Sequence, residues 1–332
     1  MRVLITGGAG FIGSHLSDAM IRDGHHVAVL DDLSTGSVRN LSSVADHASF
    51  QFVEGSVLDA PLVSRLIGSA DAVVHLAAAV GVRLIVDEPL RSMHTNLRGT
   101  ENVLEAASGH LPRVLIASSS EVYGKSRELL HEDSDRLLGP TTVDRWSYSV
   151  AKSVSEIYAF AYWREFGVPT VVTRFFNTVG PRQTGAYGMV VPRLVAQALL
   201  GEDLTVYGDG TQTRSFCHVA DVVRAQIALL EFPAAVGQVY NVGSNDQLTI
   251  LDLAHRILNI TGSSSSIRLV PFTETFGPLF EDVPRRSADT SKLENLLGWE
   301  PKFGIDDIIE DVMGAALEGD PGMLLGRTPV SR

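Results

Sequence analysis

Thr6-Gly7-Gly8-Ala9-Gly10-Phe11-Ile12-Gly13 follows the apolar run Arg2–Thr6 and opens a stretch of helical periodicity, Ile12–Asp23. A glycine-spaced turn between strand and helix lets the backbone approach a pyrophosphate, and the helix N-terminus adds amide donors and partial positive charge. Glycine spacing alone is weak. The strand–turn–helix setting makes this a dinucleotide-binding loop, with Gly7, Gly10, Phe11, Ile12 and Gly13 as its contacts. Asp31 ends the second apolar run, 18 residues after Gly13. Its carboxylate can accept both hydroxyls of an adenosine ribose and repels a 2′-phosphate, which predicts NAD rather than NADP. Asp32 is placed to share that role.

The alternation continues outward from this loop. Strands are expected at Arg2–Thr6, His26–Leu30, Phe50–Val53, Ala72–Leu76, Arg113–Ser118 and Pro169–Arg174, with helices such as Ile12–Asp23, Arg91–Ser108 and Tyr148–Phe166 between them. Strands alternating with helices predict an α/β fold with a doubly wound parallel sheet, the Rossmann arrangement. Glycine, proline and polar residues crowd Asn177–Gly188, which predicts a crossing into a smaller C-terminal substrate-binding region. The expected division is 1–177 for the NAD-binding domain, with a return to it at about 215–244 through a late strand at Gln238–Val242, and 178–332 mostly for substrate. The residues from about Asp320 lack periodicity and are expected to form a loose tail. No internal repeat is evident.

Bulk properties exclude several classes. The 332 residues are 45% hydrophobic and 20% charged, an ordinary globular mix. No apolar run is long enough for a membrane span, and the start of the chain leads straight into the glycine loop, so no signal peptide is expected. The net charge of −12, without a basic patch, argues against nucleic acid. A lone cysteine, Cys217, reads as a core residue and fits the reducing cytoplasm. The ten histidines show no metal-ligand spacing, so no metal is expected. His75 reads as packing.

The chemistry concentrates in Ser118-Ser119-Ser120-Glu121-Val122-Tyr123-Gly124 and Arg145-Trp146-Ser147-Tyr148-Ser149-Val150-Ala151-Lys152. On a helix Tyr148 and Lys152 share one face, a turn apart. A free phenol is a poor base at neutral pH, and a nearby ammonium is expected to lower its pKa. Ser119 can bond the same reacting hydroxyl. A tyrosine so tuned takes a proton from a sugar hydroxyl as hydride leaves the carbon.

These segments, with His75-Leu76-Ala77-Ala78, Thr95-Asn96-Leu97-Arg98-Gly99-Thr100, Arg174-Phe175-Phe176-Asn177 and Val206-Tyr207-Gly208-Asp209-Gly210-Thr211-Gln212-Thr213-Arg214-Ser215-Phe216, resemble the nucleotide-sugar branch of the extended short-chain dehydrogenase/reductase family over nearly the whole chain. The resemblance implies tightly bound NAD, oxidation of a nucleotide sugar at C4, and a homodimer pairing the helices at Arg91–Ser108 and Tyr148–Phe166. It implies that Leu76, Ala77 and Ala78 border NAD. Where the family often has an acid near the adenine amine this chain has Ser56, with Asp59 as a substitute.

Within the branch, Ser120-Glu121 lacks the Asp-Glu pair of dTDP-glucose 4,6-dehydratases. Glu121 and Ser147 depart from typical 4-epimerases. The Ser-Glu pair followed by Arg-x-x-Tyr-x-x-x-Lys is similar to UDP-glucuronic acid decarboxylases. That resemblance implies Tyr148 as base, Lys152 tuning it and binding the nicotinamide ribose, and Ser119 and Ser120 assisting. It casts Arg145 as the grip on a substrate carboxylate, Glu121 as a proton handler or an orienter of that carboxylate, and Arg214 as an arginine beside the sugar. Asn177 corresponds to a diphosphate contact. Arg182, Arg193, Arg285 and Arg286 are candidates for phosphate and uridine, and Tyr207 for the edge of the base. The expected product is a UDP-4-keto-pentose with NADH released, or UDP-xylose if the hydride returns. A 4-epimerase or 4,6-dehydratase is the alternative. A non-catalytic NAD-sensing regulator is a remote one, since such proteins usually lose the tyrosine or the lysine.

Overall fold

The computed structural model describes residues 1–81, 88–126, 128–185, 188–276, 283, 285–319 and 321–326. Its strands are β1 (Arg2–Thr6), β2 (His26–Asp31), β3 (Phe50–Glu54), β4 (Ala72–His75), β5 (Arg113–Ser119), β6 (Leu129–Leu130), β7 (Thr170–Phe175), β8 (Thr178–Val179), β9 (Leu204–Tyr207), β10 (Thr213–Ser215), β11 (Cys217–His218), β12 (Gln238–Val242), β13 (Gln247–Thr249), β14 (Ile267–Val270) and β15 (Arg285–Ala288). Helices are α1 (Phe11–Arg22), α2 (Ala60–Ile67), α3 (Pro89–Ser108), α4 (Arg145–Phe166), α5 (Val190–Leu199), α6 (Val219–Glu231), α7 (Ile250–Thr261), α8 (Phe272–Phe276), α9 (Ser291–Leu297), α10 (Ile305–Glu318) and α11 (Pro321–Leu324).

Seven parallel strands form the central sheet in the order β12-β7-β5-β4-β1-β2-β3. Strands covered on both faces read as unbroken apolar runs, which is why β1 and β4 were legible. The strand order reverses beside β1 and β4, and a crevice opens there at the carboxyl ends. Leu16 and Met20 of α1 pack with Val222 and Leu229 of α6 and with Tyr240 in one core. Val63, Ile67, Val103, Leu104 and Ala159 pack against Ile116 and Val172 in another.

A third core holds the C-terminal region together, from Val191, Leu194, Leu204, Val206, Ile250, Leu253, Ile257, Ile308 and Val312. The chain comes back to the sheet at β12. It comes back again at α9, where Leu293 and the nearby Trp299 join the first core. The expected division did not include that second return.

Two readings change. The catalytic helix starts a turn earlier than Tyr148, at Arg145, and ends at Gly167 in the left-handed conformation. The loose tail from about Asp320 does not hold for 321–326. Pro321–Leu324 is a helical turn, and the Leu324 carbonyl accepts the Gly185 N–H at 2.7 Å. Residues 320 and 327–332 lie outside the described residues.

Candidate active site

The crevice is a continuous cleft of about 1400 Å³ between the sheet and the C-terminal region. The glycine loop forms its floor. Gly7 has φ +72°, and a Cβ there would stand 2.6 Å from the Ala77 nitrogen. A Cβ on Gly13 would stand 2.4 Å from the Gly7 carbonyl oxygen. Only glycine keeps the turn this tight. Gly10 precedes helix α1 and offers no side-chain cap, and the first turn holds no acid, so the amides of that turn are left without a carboxylate of the helix itself. Asp31 is buried. Its two oxygens accept N–H groups from Ala9 at 2.9 Å and Leu33 at 2.8 Å. Burial raises its pKa against the pull of those amides. The carboxylate therefore also pins the glycine loop.

Gly7, Gly10, Phe11, Ile12, Gly13, Asp31, Asp32, Leu76, Ala77 and Ala78 all line the cleft. Ser56 is absent from the lining, although Gly55 and Val57 on either side contribute, and its hydroxyl accepts from Leu58 N at 3.3 Å. Asp59 does not replace it, because its carboxylate caps α2 through Leu62 N. A glycine-rich floor, uncapped amides and a carboxylate at the end of β2 fit a dinucleotide.

Beside this floor stand Ser119, Ser120, Glu121, Arg145, Tyr148, Lys152 and Arg214. Ser119 faces the Tyr148 hydroxyl and favours its ionised form, and the Ser119 oxygen accepts Glu121 N at 3.2 Å. The expectation that Lys152 pulls the phenol down is corrected. Burial pushes Tyr148 up, Glu121 adds to that, and Ser119 opposes it. Lys152 Nζ instead donates to the Ala117 carbonyl at 2.8 Å. Burial lowers this ammonium to about 8, with Glu156 working the other way.

Glu121 lies in a nest of guanidinium groups. Arg286 grips both its oxygens, Arg145 Nη2 lies 3.8 Å away, and Arg214 acts on it electrostatically. Burial would raise this carboxyl, but the arginines outweigh it and hold it at about 2. Its reading as a proton handler is therefore corrected: a carboxylate so held gives and takes no proton near neutrality. It orients arginines. Arg145 also lies over the Trp146 ring, 5.8 Å from its centroid.

The nucleotide-side candidates divide. Asn177, Arg182, Arg193 and Tyr207 line the cleft. Asn177 Nδ2 donates to the Ser215 carbonyl at 2.8 Å, Arg182 pairs with Asp18 at 2.7 Å, and Arg193 lies 4.5 Å from the Tyr207 ring centroid. Arg285 is outside the cleft, exposed, with Nε on Gln247 at 3.0 Å. Adjacent strand residues point to opposite faces, so Arg286 turns inward and Arg285 outward. His75 is buried between the Thr6 hydroxyl at 2.8 Å and the Thr100 hydroxyl at 3.2 Å. Among the described residues no group of three His, Cys, Asp or Glu could hold a metal, and no helix is long and apolar enough to cross a membrane.

Sequence reasoning missed the Arg286–Glu121 pairing, which joins residues 165 apart. It also missed a buried network behind β5. Glu156 accepts Arg174 through both oxygens, at 2.9 and 2.7 Å, and Arg174 Nη1 reaches the Tyr123 hydroxyl at 2.8 Å. The one available signal was Glu156 falling two turns after Tyr148 on the same helix face.

Fold and site define a dinucleotide-dependent enzyme of the tyrosine–lysine type, with a cationic pocket beside the reacting hydroxyl. The chain belongs to the NAD dependent epimerase/dehydratase family, whose model matches residues 3–243. It is 40% identical over 313 residues to a UDP-N-acetyl-alpha-D-glucosaminuronate decarboxylase of Bacillus cytotoxicus, covering 94% of this chain and 96% of that protein. It is 38% identical over 306 residues to UDP-glucuronic acid decarboxylase 3 of Arabidopsis thaliana, covering 91% and 85%. Among solved structures it resembles a UDP-glucuronic acid 4-epimerase of Bacillus cereus in complex with UDP-glucuronic acid and NAD. That match has a TM-score of 0.85 and 31% identity, covering 96% and 99%.

Proposed function

We propose that this protein decarboxylates UDP-glucuronic acid with NAD, through oxidation at C4. The carrying observation is the arginine nest. Arg145, Arg214 and Arg286 surround one carboxylate beside Tyr148, so the pocket keeps a net positive charge where a uronate carboxylate would lie. NAD, when bound, supplies the hydride acceptor.

The residues of the chain do the rest. Tyr148 takes the proton of the C4 hydroxyl only as the phenolate, so the positive charge of bound NAD and of Lys152 has to offset the burial that raises the phenol in the empty cleft, and Ser119 orients that hydroxyl. Lys152 holds the nicotinamide ribose and supplies positive charge behind the phenol. Oxidation at C4 leaves C6 as a carboxylate beta to a ketone. Such acids lose CO2 readily, because the electrons of the breaking bond pass into the carbonyl as an enolate. Glu121 keeps the arginine planes fixed, and Arg145 is placed to pair with the carboxylate in bidentate fashion. C5 then needs one proton. The product is a UDP-4-keto-pentose with NADH, or UDP-xylose if hydride returns to C4; closure of the cleft and affinity for NADH decide between them.

The names of the relatives support decarboxylation, and the 4-epimerase of similar structure supports a UDP-uronate in this kind of cleft. A second substrate, the 2-acetamido uronate, is favoured by the 40% relative. Asn177, Arg182, Arg193 and Tyr207 would receive the nucleotide. The intact Tyr148 and Lys152 speak against a non-catalytic regulator. We also propose a homodimer through the outer faces of α3 and α4, where Leu90, Val150 and Ile157 are exposed. The single, buried Cys217 fits a cytoplasmic location.

The test incubates the protein with NAD and either UDP-glucuronic acid or its 2-acetamido counterpart, and follows the sugar by NMR. A pentose product supports the reading and identifies the preferred substrate. A C4-inverted uronate that retains C6 would replace it with epimerisation.

A further inference from the structure

Three successive residues at the end of β5 meet three residues spaced one turn apart on α4. Ser119 faces the Tyr148 hydroxyl, the Ala117 carbonyl accepts from Lys152 Nζ at 2.8 Å, and the Ser118 hydroxyl donates to Glu156 Oε1 at 2.5 Å. The first two rungs belong to the reaction described above. The third lies behind them. Ser118, Lys152, Glu156 and Arg174 are all buried, between 3% and 7% exposed, so water does not screen them.

A buried ammonium with only a carbonyl partner tends to lose its proton. Glu156 is four residues beyond Lys152 on the same face of α4, and its charge opposes that loss. Arg174 fixes the carboxylate from β7 through two nitrogens, while its Nη1 is occupied by the Tyr123 hydroxyl and the Glu132 carbonyl, both at 2.8 Å. We propose that Glu156 is a positioning residue for the reaction: it keeps the buried Lys152 ammonium charged and, through Ser118, fixes the strand end that presents Ser119 to Tyr148. The proposal rests on the tyrosine–lysine reading of the site.

The other groups near Lys152 do not account for its charge. His75, on β4, is held neutral by burial, at about 3, and the Lys152 charge contributes to that. Tyr148, on the same helix, is protonated, and Arg174 on β7 is a cation. Glu121, after β5, is engaged by arginines and faces Tyr148. Among the described residues Glu156 supplies the attraction that raises Lys152.

The test uses two readouts. The chain has only four lysines, Lys125, Lys152, Lys292 and Lys302, so protein carrying 13C-labelled lysine resolves the Lys152 ε-carbon, assigned with Lys152→Met. In Glu156→Gln its titration midpoint is expected to fall by about one pH unit, the size of a nearby charge effect. The alkaline limb of kcat/KM for CO2 release should fall with it. The loss should then be about eightfold at pH 8.5, close to the roughly tenfold limit of a one-unit shift, and much smaller at pH 6.5. If removing one charge of the Glu156–Arg174 pair prevents folding, Glu156→Gln/Arg174→Met removes both, and the midpoint should still fall but by less, because a cation leaves with the anion. An unchanged Lys152 midpoint, or a loss of kcat/KM equal at every pH, overturns the proposal. A wild-type protein that turns over no uronate overturns the proposed function instead, and the lysine titration still decides the role of Glu156.

Discussion

Glu121 marks the difference between motif and mechanism. Its place beside Ser119 was legible, because the Ser-Glu pair is contiguous in the chain. Its protonation state was not, because that is set by Arg286, 165 residues away. A carboxylate held at about 2 by three guanidinium groups is a scaffold for charge, which leaves the proposed acid–base work to Tyr148. Glu121→Gln should therefore leave NAD binding intact and lower kcat for CO2 release by about 10²-fold or more, the usual cost of removing a preorganised electrostatic group. Steady-state kinetics beside an NAD titration checks this, and a wild-type kcat would remove Glu121 from the machinery. The Lys152 rung shows the same limit. The four-residue spacing predicted a shared face correctly, but the lysine hydrogen-bonds the Ala117 carbonyl, and no spacing rule reports a backbone acceptor on a neighbouring strand.

The glycine loop, β1 and α1 form the element proposed to bind the dinucleotide, and local sequence was enough to read it. The glycine spacing of the turn lies within a few residues, and Asp31 and Ala77 complete it from β2 and just after β4. Gly13 carries the clearest penalty, since a methyl group there would lie 2.4 Å from the Gly7 oxygen and 2.6 Å from the Gly8 Cα, both rigid backbone. Gly13→Ala should destabilise the fold by about 1–3 kcal/mol, the range for overpacking, and weaken NAD binding at least tenfold. Urea unfolding and a binding titration read the two effects separately. Unaltered affinity would mean that the loop is only a tight turn. Element boundaries were read less well. Helix α4 begins a turn early at Arg145, which brings that guanidinium beside Glu121. Strand β15 was not anticipated, although its alternation decides that Arg286 and not Arg285 enters the cleft.

At the scale of the whole molecule, the parallel sheet was legible because strands covered on both sides announce themselves as apolar runs. The path of the C-terminal half was not. Its strands are short, and α9 packs back onto the first core through Leu293. The proposed homodimer would use the outer faces of α3 and α4. Ile157 is 53% exposed and Leu90 is 74% exposed on helices that otherwise cover the sheet. Ile157→Glu should convert a dimer to a monomer in sedimentation velocity without loss of helical content, because a charge in the centre of an apolar contact is costly to desolvate. A wild-type protein that sediments as a monomer at every concentration would rule out that interface.

In the proposed reaction the C6 carboxylate of a UDP-uronate leaves as CO2 from a cationic pocket beside Tyr148. The most direct measurement is release of labelled CO2 from UDP-glucuronic acid carrying 13C at C6, with NAD present, for the wild type and for Arg145→Ala. The account predicts labelled CO2 from the wild type, loss of that release in Arg145→Ala, and unchanged NAD binding in both. Full retention of the label at C6 by a wild-type protein that turns the sugar over would contradict it.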